Sequence, residues 1–320
     1  CRGVRGDRRA GRRAGRRARL TPLPELPEVE SVRKGLESHV LDARIEGVQI
    51  FRDSAVRRVP GGAAQFAAEV VGSRIDSVAR RGKFLWMVLD GGEGALSAHL
   101  GMSGQFRVHA DVPDPHPHCR ARLTLSLPDA PLTLDFIDQR TFGYLDVEAM
   151  VETPDGLPGG HGSELAAVPA SVAHIGRDAL DPALRRDKVL AQWRRGVRGI
   201  KQVLLDQTLV SGIGNIYADE ALWRARVNPV TPASGMSGRA TGALLDATQE
   251  VMGEALAAGG TSFDALYVNV NGESGYFDRS LNAYGRGGEP CLRCGRPLVR
   301  AMISGRSTHW CPRCQRPRPR

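Results

Sequence analysis

The sequence of 320 residues is poor in aromatic side chains, which make up 5% of it, and it contains only six cysteines. It also lacks any uninterrupted apolar run of the about 18 residues that a membrane-spanning helix requires. These absences exclude a transmembrane helix and a small disulfide-stapled domain. The hydrophobic fraction of 41% and the charged fraction of 25% are instead typical of a globular protein with an ordinary core.

Positive charge is not spread evenly, although the formal net charge is +9. Residues 1–23 hold nine arginines and one acid, and residues 286–320 also hold nine arginines and one acid, so each segment contributes +8. The 262 residues between them therefore carry −7. A uniformly basic protein is excluded, and any affinity for nucleic acid must come from a few placed residues.

Four cysteines lie within the last thirty residues in the arrangement C-x2-C-x16-C-x2-C. Each pair closes a turn that directs two thiolates at one ion, which is typical of tetrahedral zinc. Two disulfides are the alternative, which the lack of a secretory signal disfavours. We expect one structural zinc ion, because four thiolates leave no position for water, held in a zinc ribbon by Cys291, Cys294, Cys311 and Cys314.

Residue periodicity predicts an α+β multidomain protein. A helical pattern follows Pro27, short alternating strands typical of a sandwich occupy residues 44–148, and from residue 172 the pattern is helical again. We therefore expect an N-terminal β-sandwich with flanking helices, then a helical domain, then the ribbon. The predicted boundaries are a leader at 1–23, the sandwich at 24–155, a linker at 156–171, the helical domain at 172–285, the ribbon at 286–316 and a tail at 317–320.

Two predicted helices flank the segment 209–215, which contains two glycines and ends in Asn215. Such a turn can present backbone N–H groups to a phosphate at the start of the second helix. A Gly-x-Gly turn between helices is more often only a turn. This segment alone therefore indicates little about function.

Four segments occur together in one order: the run Pro24–Glu30, the run His99–Gly104, the turn Gly212–Tyr217 and the four-cysteine ribbon. Over residues 24 to about 316 the chain resembles the formamidopyrimidine-DNA glycosylases. The resemblance implies a helix-two-turn-helix domain and base-excision repair of 8-oxoguanine and formamidopyrimidines in double-stranded DNA. It implies a bifunctional glycosylase and abasic-site lyase that works as a monomer in the bacterial cytoplasm, on the nucleoid. Leu26 favours this branch over the endonuclease VIII branch, which usually has glycine there.

The resemblance assigns the chemistry to three residues. The secondary amine of Pro24 attacks the sugar C1′ and forms a Schiff base, which permits β- and δ-elimination of the strand. Glu25 serves as general acid/base, and Lys83 contacts the phosphate beside the lesion. Outside the motif these residues would be interpreted as a first-turn proline, a helix cap and a solvated lysine.

The remaining site residues also follow from the resemblance. Glu28 and Lys201 are expected near the damaged base, and a loop at 268–277 is expected to close over it. Three side chains are expected to fill the gap that the extruded nucleotide leaves, although two of them could equally be core residues. Phosphate contacts are expected from one residue in the helix turn and one in the ribbon. These five DNA-binding residues are Met102, Arg140, Phe142, Asn215 and Arg306.

Residues 1–23 conflict with this chemistry, because a proline inside a chain has no nucleophilic amine. We therefore expect synthesis to start at position 23, with Leu23 standing for a non-standard start codon. The Arg/Gly/Ala composition of residues 1–20 resembles translated GC-rich upstream DNA, and such a segment is expected to be disordered. Proteolytic processing and a DNA-contacting basic tail are alternatives. Two other functions also stay open: a non-catalytic DNA-binding protein and a pyrimidine-lesion glycosylase.

Overall fold

The computed structural model describes residues 23–128, 131–259 and 281–317. Over these residues the chain forms a β-sandwich, a helical domain and a C-terminal hairpin with the cysteines, so the expected α+β multidomain architecture is confirmed. Residues 1–22 of the predicted leader, the predicted loop at 268–277 and residues 318–320 of the predicted tail lie outside the described residues.

Helix α1 spans Leu26–Val40 and begins before Pro27 rather than after it. Proline is tolerated in the first helical turn because its missing N–H would have no partner there. One face of the helix carries the predicted apolar stripe, whose side chains are at most 1% exposed: Val29, Val32, Leu36 and Val40. This stripe packs into the sandwich core, so α1 fixes the start of the site to the sandwich.

Two antiparallel sheets form the sandwich. One has the strand order β1-β6-β7-β5 and the other has the order β2-β3-β4-β8-β9. Helix α2, Gly62–Val70, packs beside them. The strands are β1 Arg44–Ile50, β2 Ile75–Arg81, β3 Phe84–Leu89, β4 Gly94–His99, β5 Gly104–His109, β6 Cys119–Ser126, β7 Pro131–Asp138, β8 Tyr144–Glu152 and β9 Ala167–Pro169.

The segment predicted as a linker, residues 156–171, differs from that expectation. Its residues 167–169 form β9, which pairs antiparallel with β8. His161 also bridges to Arg80 of β2 through two backbone hydrogen bonds. The Pro- and Gly-rich composition favoured a linker, and a strand of three residues is too short to show the alternation of apolar and polar residues that indicates a strand. The segment belongs to the sandwich.

The helical domain contains α3 Arg186–Trp193, α4 Ile200–Leu204, α5 Asn215–Arg224 and α6 Gly238–Ala257. The Ser237 hydroxyl caps α6 by accepting the Ala240 N–H. The ribbon hairpin follows, with β10 Val299–Ile303 and β11 Arg306–Trp310. In the part of the chain that the structure describes, no helix has the length and apolar character to cross a membrane.

Candidate active site and DNA interface

The start of α1 meets the start of α5. The Glu25 carboxylate, which is 2% exposed, accepts the Gly214 N–H at 2.7 Å, the Ile216 N–H at 2.9 Å and the Tyr217 N–H at 3.3 Å. A carboxylate is favourable there because the first N–H groups of a helix have no partner inside it and carry partial positive charge. Glu25 therefore caps α5 from another domain, and the half-buried Pro24 lies directly before it.

The glycines of the turn before α5 make room for this arrangement. A Cβ on Gly214 would lie 2.2 Å from the Glu25 carboxyl carbon, and one on Gly212 would lie 2.7 Å from a Leu26 methyl. Gly212 also has φ 89°, which is strained for other residues. The N–H groups of Gly214, Ile216 and Tyr217, which could in principle bind a phosphate, are donated to the protein's own carboxylate.

Burial controls the proton affinity of Glu25. Removal from water raises the pKa of this carboxyl to about 7, with a smaller raising contribution from Glu28, while the charge of Lys83 opposes the shift. A carboxyl with this pKa holds a proton in a large fraction of molecules at neutral pH. It can therefore donate a proton and later accept one, as a general acid/base must.

Lys83 lies at the tip of the β2–β3 hairpin and is half-buried. Gly82 in this turn has φ 58°, and a Cβ there would lie 2.6 Å from the Gly212 nitrogen, so the hairpin tip touches the glycine turn. Burial lowers the pKa of the Lys83 ammonium, the nearby Glu25 charge opposes this, and the Arg306 charge adds to the lowering. These influences place the three charged groups at one location.

Buried ion pairs hold the β2–β3 hairpin in place. The Asp178 carboxylate accepts the Gly82 N–H at 3.1 Å and the Arg80 guanidinium at 2.8 Å. Arg80 also donates to Glu30 of α1 at 2.7 Å. All three side chains are at most 3% exposed, so the charges are paired in the interior as buried ions require. This network fixes the distance between α1 and the Lys83 turn.

Glu28 is 4% exposed and orients the start of α1. Its Oε2 accepts the Glu25 N–H at 2.9 Å, and its Oε1 accepts the Tyr217 hydroxyl at 2.7 Å. The resemblance suggested a place near the damaged base. The structure shows that Glu28 fixes the peptide unit of Glu25 and connects it to α5.

Lys201 is buried between the helical domain and the ribbon hairpin. It is 2% exposed, and its Nζ donates to Asp219 Oδ1 at 2.6 Å, to Thr308 Oγ1 at 2.9 Å and to Ser307 O at 3.2 Å. An ammonium has three N–H donors, so all are used. Lys201 therefore connects α4 and α5 to the ribbon hairpin.

The two expected phosphate contacts, Asn215 and Arg306, lie on α5 and on β11, which are two of the elements that Lys201 connects. Asn215 is the first residue of α5, and its Nδ2 donates to Ser307 O at 2.8 Å. Arg306 begins β11 and is exposed. Its charge adds to the lowering of the pKa of Lys83 that burial causes.

The three expected gap-filling side chains lie on two loops, at residues 100–103 and 139–143, which we call the wedge loops. Phe142 is 52% exposed, whereas Met102 and Arg140 are half-buried. The Arg140 guanidinium carbon lies 5.8 Å from the Phe142 ring centre. A Cβ on Gly101 would lie 2.7 Å from the Phe142 backbone, so the loops are in contact. The alternative that Phe142 is a core residue is wrong.

Asp138 holds the wedge loops together and was missed in the sequence. Its carboxylate accepts the Ser103 hydroxyl, the Arg140 N–H at 3.2 Å and the Gly143 N–H at 2.6 Å, and the residue is 0% exposed. The available signal was its position at the end of β7, because an aspartate directly before a loop commonly accepts the loop's N–H groups.

The four ribbon cysteines form the expected metal centre. Their Sγ atoms all lie within 4.8 Å of one another, and those of Cys294 and Cys311 are 3.5 Å apart. Zinc–thiolate bonds of about 2.3 Å in a tetrahedron fit such a group, and four protein donors define a structural site. Zinc bound here stabilises the ribbon fold and thereby supports Arg306.

Four features together define a class of protein. They are a β-sandwich with exposed loops, a glycine turn before a helix, a four-cysteine ribbon and a buried acid beside a proline. The class is that of the helix-two-turn-helix DNA glycosylases, which extrude a nucleotide and act at its sugar.

Comparisons with known proteins identify the family. Family models match residues 23–145 (Formamidopyrimidine-DNA glycosylase N-terminal domain), 175–266 (Formamidopyrimidine-DNA glycosylase H2TH domain) and 288–317 (Zinc finger found in FPG and IleRS). The formamidopyrimidine-DNA glycosylase of Thermobifida fusca is 52% identical over 303 residues, which cover 93% of this chain and 99% of that one. That of Mycolicibacterium smegmatis is 52% identical over 298 residues, with 93% and 99% covered. The chain belongs to the formamidopyrimidine-DNA glycosylase family.

Solved structures agree with this assignment. MutM (Fpg) of Thermus thermophilus has a TM-score of 0.74 and 36% identity, covering 92% of this chain and 100% of that one. Lactococcus lactis Fpg in complex with DNA containing an abasic site has a TM-score of 0.75 and 27% identity, with 91% and 99% covered. The expected family, enzyme class and zinc ribbon are therefore confirmed.

Proposed function

We propose that the protein excises 8-oxoguanine and formamidopyrimidines from double-stranded DNA and then cleaves the strand at the abasic site. The observation that carries this proposal is the buried Glu25 carboxyl beside Pro24, whose pKa is raised to about 7, with the Lys83 ammonium close to it. Relatives crystallised with Fapy-dG DNA and with abasic-site DNA support the substrate class. Because its substrate is chromosomal DNA, the enzyme acts on the bacterial nucleoid.

The chemistry begins at Pro24. Its amine lone pair forms a bond to C1′, the bond from C1′ to the base breaks, and the base leaves with the electron pair and takes up the proton that the Pro24 nitrogen loses. Glu25 gives its proton to the sugar ring oxygen as the ring opens, which leaves an iminium ion at C1′ and a carboxylate on Glu25. The iminium acidifies C2′, so that transfer of a C2′ proton to the Glu25 carboxylate expels the 3′ phosphate, and loss of the C4′ proton in a second elimination expels the 5′ phosphate. Lys83 stabilises the phosphate that departs.

DNA is held by residues on three elements. Met102 and Phe142 replace the stacking that the extruded nucleotide loses, and Arg140 hydrogen-bonds the unpaired cytosine. Asn215 and Arg306 bind phosphates of the damaged strand. Glu28 and Lys201 contribute to the pocket that holds the damaged base, and the predicted loop at 268–277 lies outside the described residues.

The free amine of Pro24 is the decisive test. Protein that begins at Pro24 after removal of an initiator methionine should form a borohydride-trapped complex with 8-oxoguanine duplex DNA. The intact 320-residue chain should not, because its Pro24 nitrogen is an amide. Mass spectrometry of the trapped species must confirm which N-terminus reacted, and equal trapping by the intact chain would contradict the mechanism.

The lesion class needs a separate assay. Base release should be faster from 8-oxoguanine duplex than from thymine glycol duplex. Faster release of thymine glycol would place the enzyme with the pyrimidine-lesion branch instead.

A further inference from the structure

The wedge loop at 139–143 has a conformation that requires support. Thr141 has φ 56°, a left-handed conformation that costs free energy in a residue with a Cβ, and the Phe142 ring beside it is directed into solvent. An exposed phenyl ring loses the favourable burial that would stabilise it. Contacts from the rest of the protein must therefore hold this loop in place.

The N–H groups of the loop are held from inside the sandwich. Asp138 accepts the N–H groups of Arg140 and Gly143, as described above. This contact fixes both ends of the loop but leaves the carbonyl groups beside the Phe142 ring to another partner.

Arg57 holds those carbonyls from outside. Its Nη2 donates to Phe142 O at 2.8 Å, and its Nη1 donates to Gly143 O at 2.6 Å. The same Nη1 donates to Ser54 O at 2.7 Å, which fixes the guanidinium to its own short turn. A planar guanidinium holds two neighbouring oxygens with donors fixed in one plane, whereas the three donors of a lysine rotate freely on a flexible stem. Arg57 therefore holds the carbonyl groups of two consecutive residues, Phe142 and Gly143.

The second wedge loop is tied to the same place through Tyr144. The guanidinium carbons of Arg57 and Arg58 lie 4.8 and 4.2 Å from the Tyr144 ring centre. His99 stacks parallel on that ring with centres 5.1 Å apart, and its Nδ1 accepts the Gly101 N–H at 3.0 Å. The loop that carries Met102 and the loop that carries Phe142 thus share one support of stacked rings and cations.

We infer that Arg57 is a positioning residue for insertion into DNA: it holds Phe142 in the inserting conformation before DNA binds. This inference rests on the proposed function, because it requires Phe142 to fill the gap in the duplex. A clamped loop has already lost its conformational entropy, so binding energy is left to extrude the nucleotide. Without Arg57 the loop would have to be ordered at each binding event.

The test replaces Arg57 with methionine in the form of the protein that traps abasic DNA. R57M should lower kcat/KM for 8-oxoguanine duplex by about 10- to 100-fold, because misplacement by about 1 Å has effects of that size. It should leave trapping of a single-stranded abasic oligonucleotide within about twofold, since no base is extruded there. R57K should restore part of the duplex activity. R52M removes an exposed arginine at the start of the same turn and should behave as wild type.

A double-mutant cycle separates positioning from other roles. If Arg57 acts through Phe142, then R57M should have little further effect in an F142A background. 2-Aminopurine placed beside the lesion should report slower extrusion in R57M. Additive effects of the two substitutions would overturn the inference, and so would equal loss of single-stranded trapping. A salt slope of DNA binding reduced by about one would identify Arg57 as a phosphate contact instead. Failure of the proposed function is distinct, because wild-type protein would then excise nothing.

Discussion

The pocket around Glu25 and the wedge loops around Phe142 each hold a side chain in an environment that is unfavourable for it. Glu25 is an acid kept out of water at 2% exposure, and Phe142 is a hydrophobic ring kept in water at 52% exposure. Each placement costs stability in the free protein. In the proposed function, burial gives Glu25 the proton affinity that a general acid/base needs, whereas exposure lets Phe142 enter the duplex. Backbone N–H groups of α5 hold the Glu25 side chain, whereas the Arg57 side chain holds the backbone at Phe142.

The comparison predicts that the two regions fail in different ways. Damage to the Glu25 pocket should remove chemistry and leave DNA binding intact. Damage to the wedge loops should remove extrusion and leave chemistry on an already exposed sugar intact.

The largest effect is expected from Glu25→Gln. The amide cannot donate a proton as an acid does, so base release from 8-oxoguanine duplex should fall by about 10²- to 10⁴-fold in single-turnover assays. Affinity for a duplex with a non-cleavable abasic analogue should stay within about threefold. A loss of affinity as large as the loss of rate would remove the distinction between the two regions.

Lys201→Met tests whether buried charge in this part of the molecule depends on a partner. Asp219 would be left buried without its cation, which should destabilise the protein by about 3 kcal/mol in thermal or denaturant unfolding. The double variant K201M/D219N should recover part of this loss, because it removes both charges. Unchanged stability together with a selective loss of 8-oxoguanine release would show that Lys201 acts in the base pocket and does not stabilise the fold.

Phe142→Ala should give the complementary result to the Glu25 variant. Loss of the ring removes stacking that offsets extrusion, so excision from duplex should fall by about 10- to 100-fold. Trapping on single-stranded abasic DNA should be unaffected. The comparison would fail if both substrates lost activity equally.

The smallest effect concerns the pH dependence of stability. The folded pKa of Glu25 is about 7, above its ordinary value of 4.5, so the folded state binds more protons than the unfolded state between these pH values. Wild-type stability therefore falls as the pH rises through this window, whereas E25Q lacks this change. From pH 5 to pH 8 the difference in unfolding free energy should shift in favour of E25Q by about 2 kcal/mol. A constant difference would show that burial does not raise this pKa.

Features with a local signal could be predicted from the sequence. The cysteine spacing and the helical pattern around Pro27 depend on residues close together in the chain, and both agree with the structure. The run that begins at Pro24 identified the family because its letters are specific.

Contacts between distant segments could not be predicted in this way. Glu25 caps a helix 189 residues away, and Arg57 clamps a loop 85 residues away. Nothing in the letters around Lys201 indicates burial, because its partner Asp219 lies on another helix. The glycine turn was recognised, but its letters could not show that a carboxylate from another domain accepts its N–H groups, since a carboxylate and a phosphate suit the same donors.

The close contact between Gly214 and Glu25 also limits how these genes can evolve by exchange of parts. No side chain fits at position 214 while the Glu25 carboxyl occupies the end of α5. A recombinant that joined this sandwich to a helical domain with alanine at that position would lose the helix cap and the placement of the acid together. An exchange of domains must therefore keep Glu25 and Gly214 together, although 189 residues separate them.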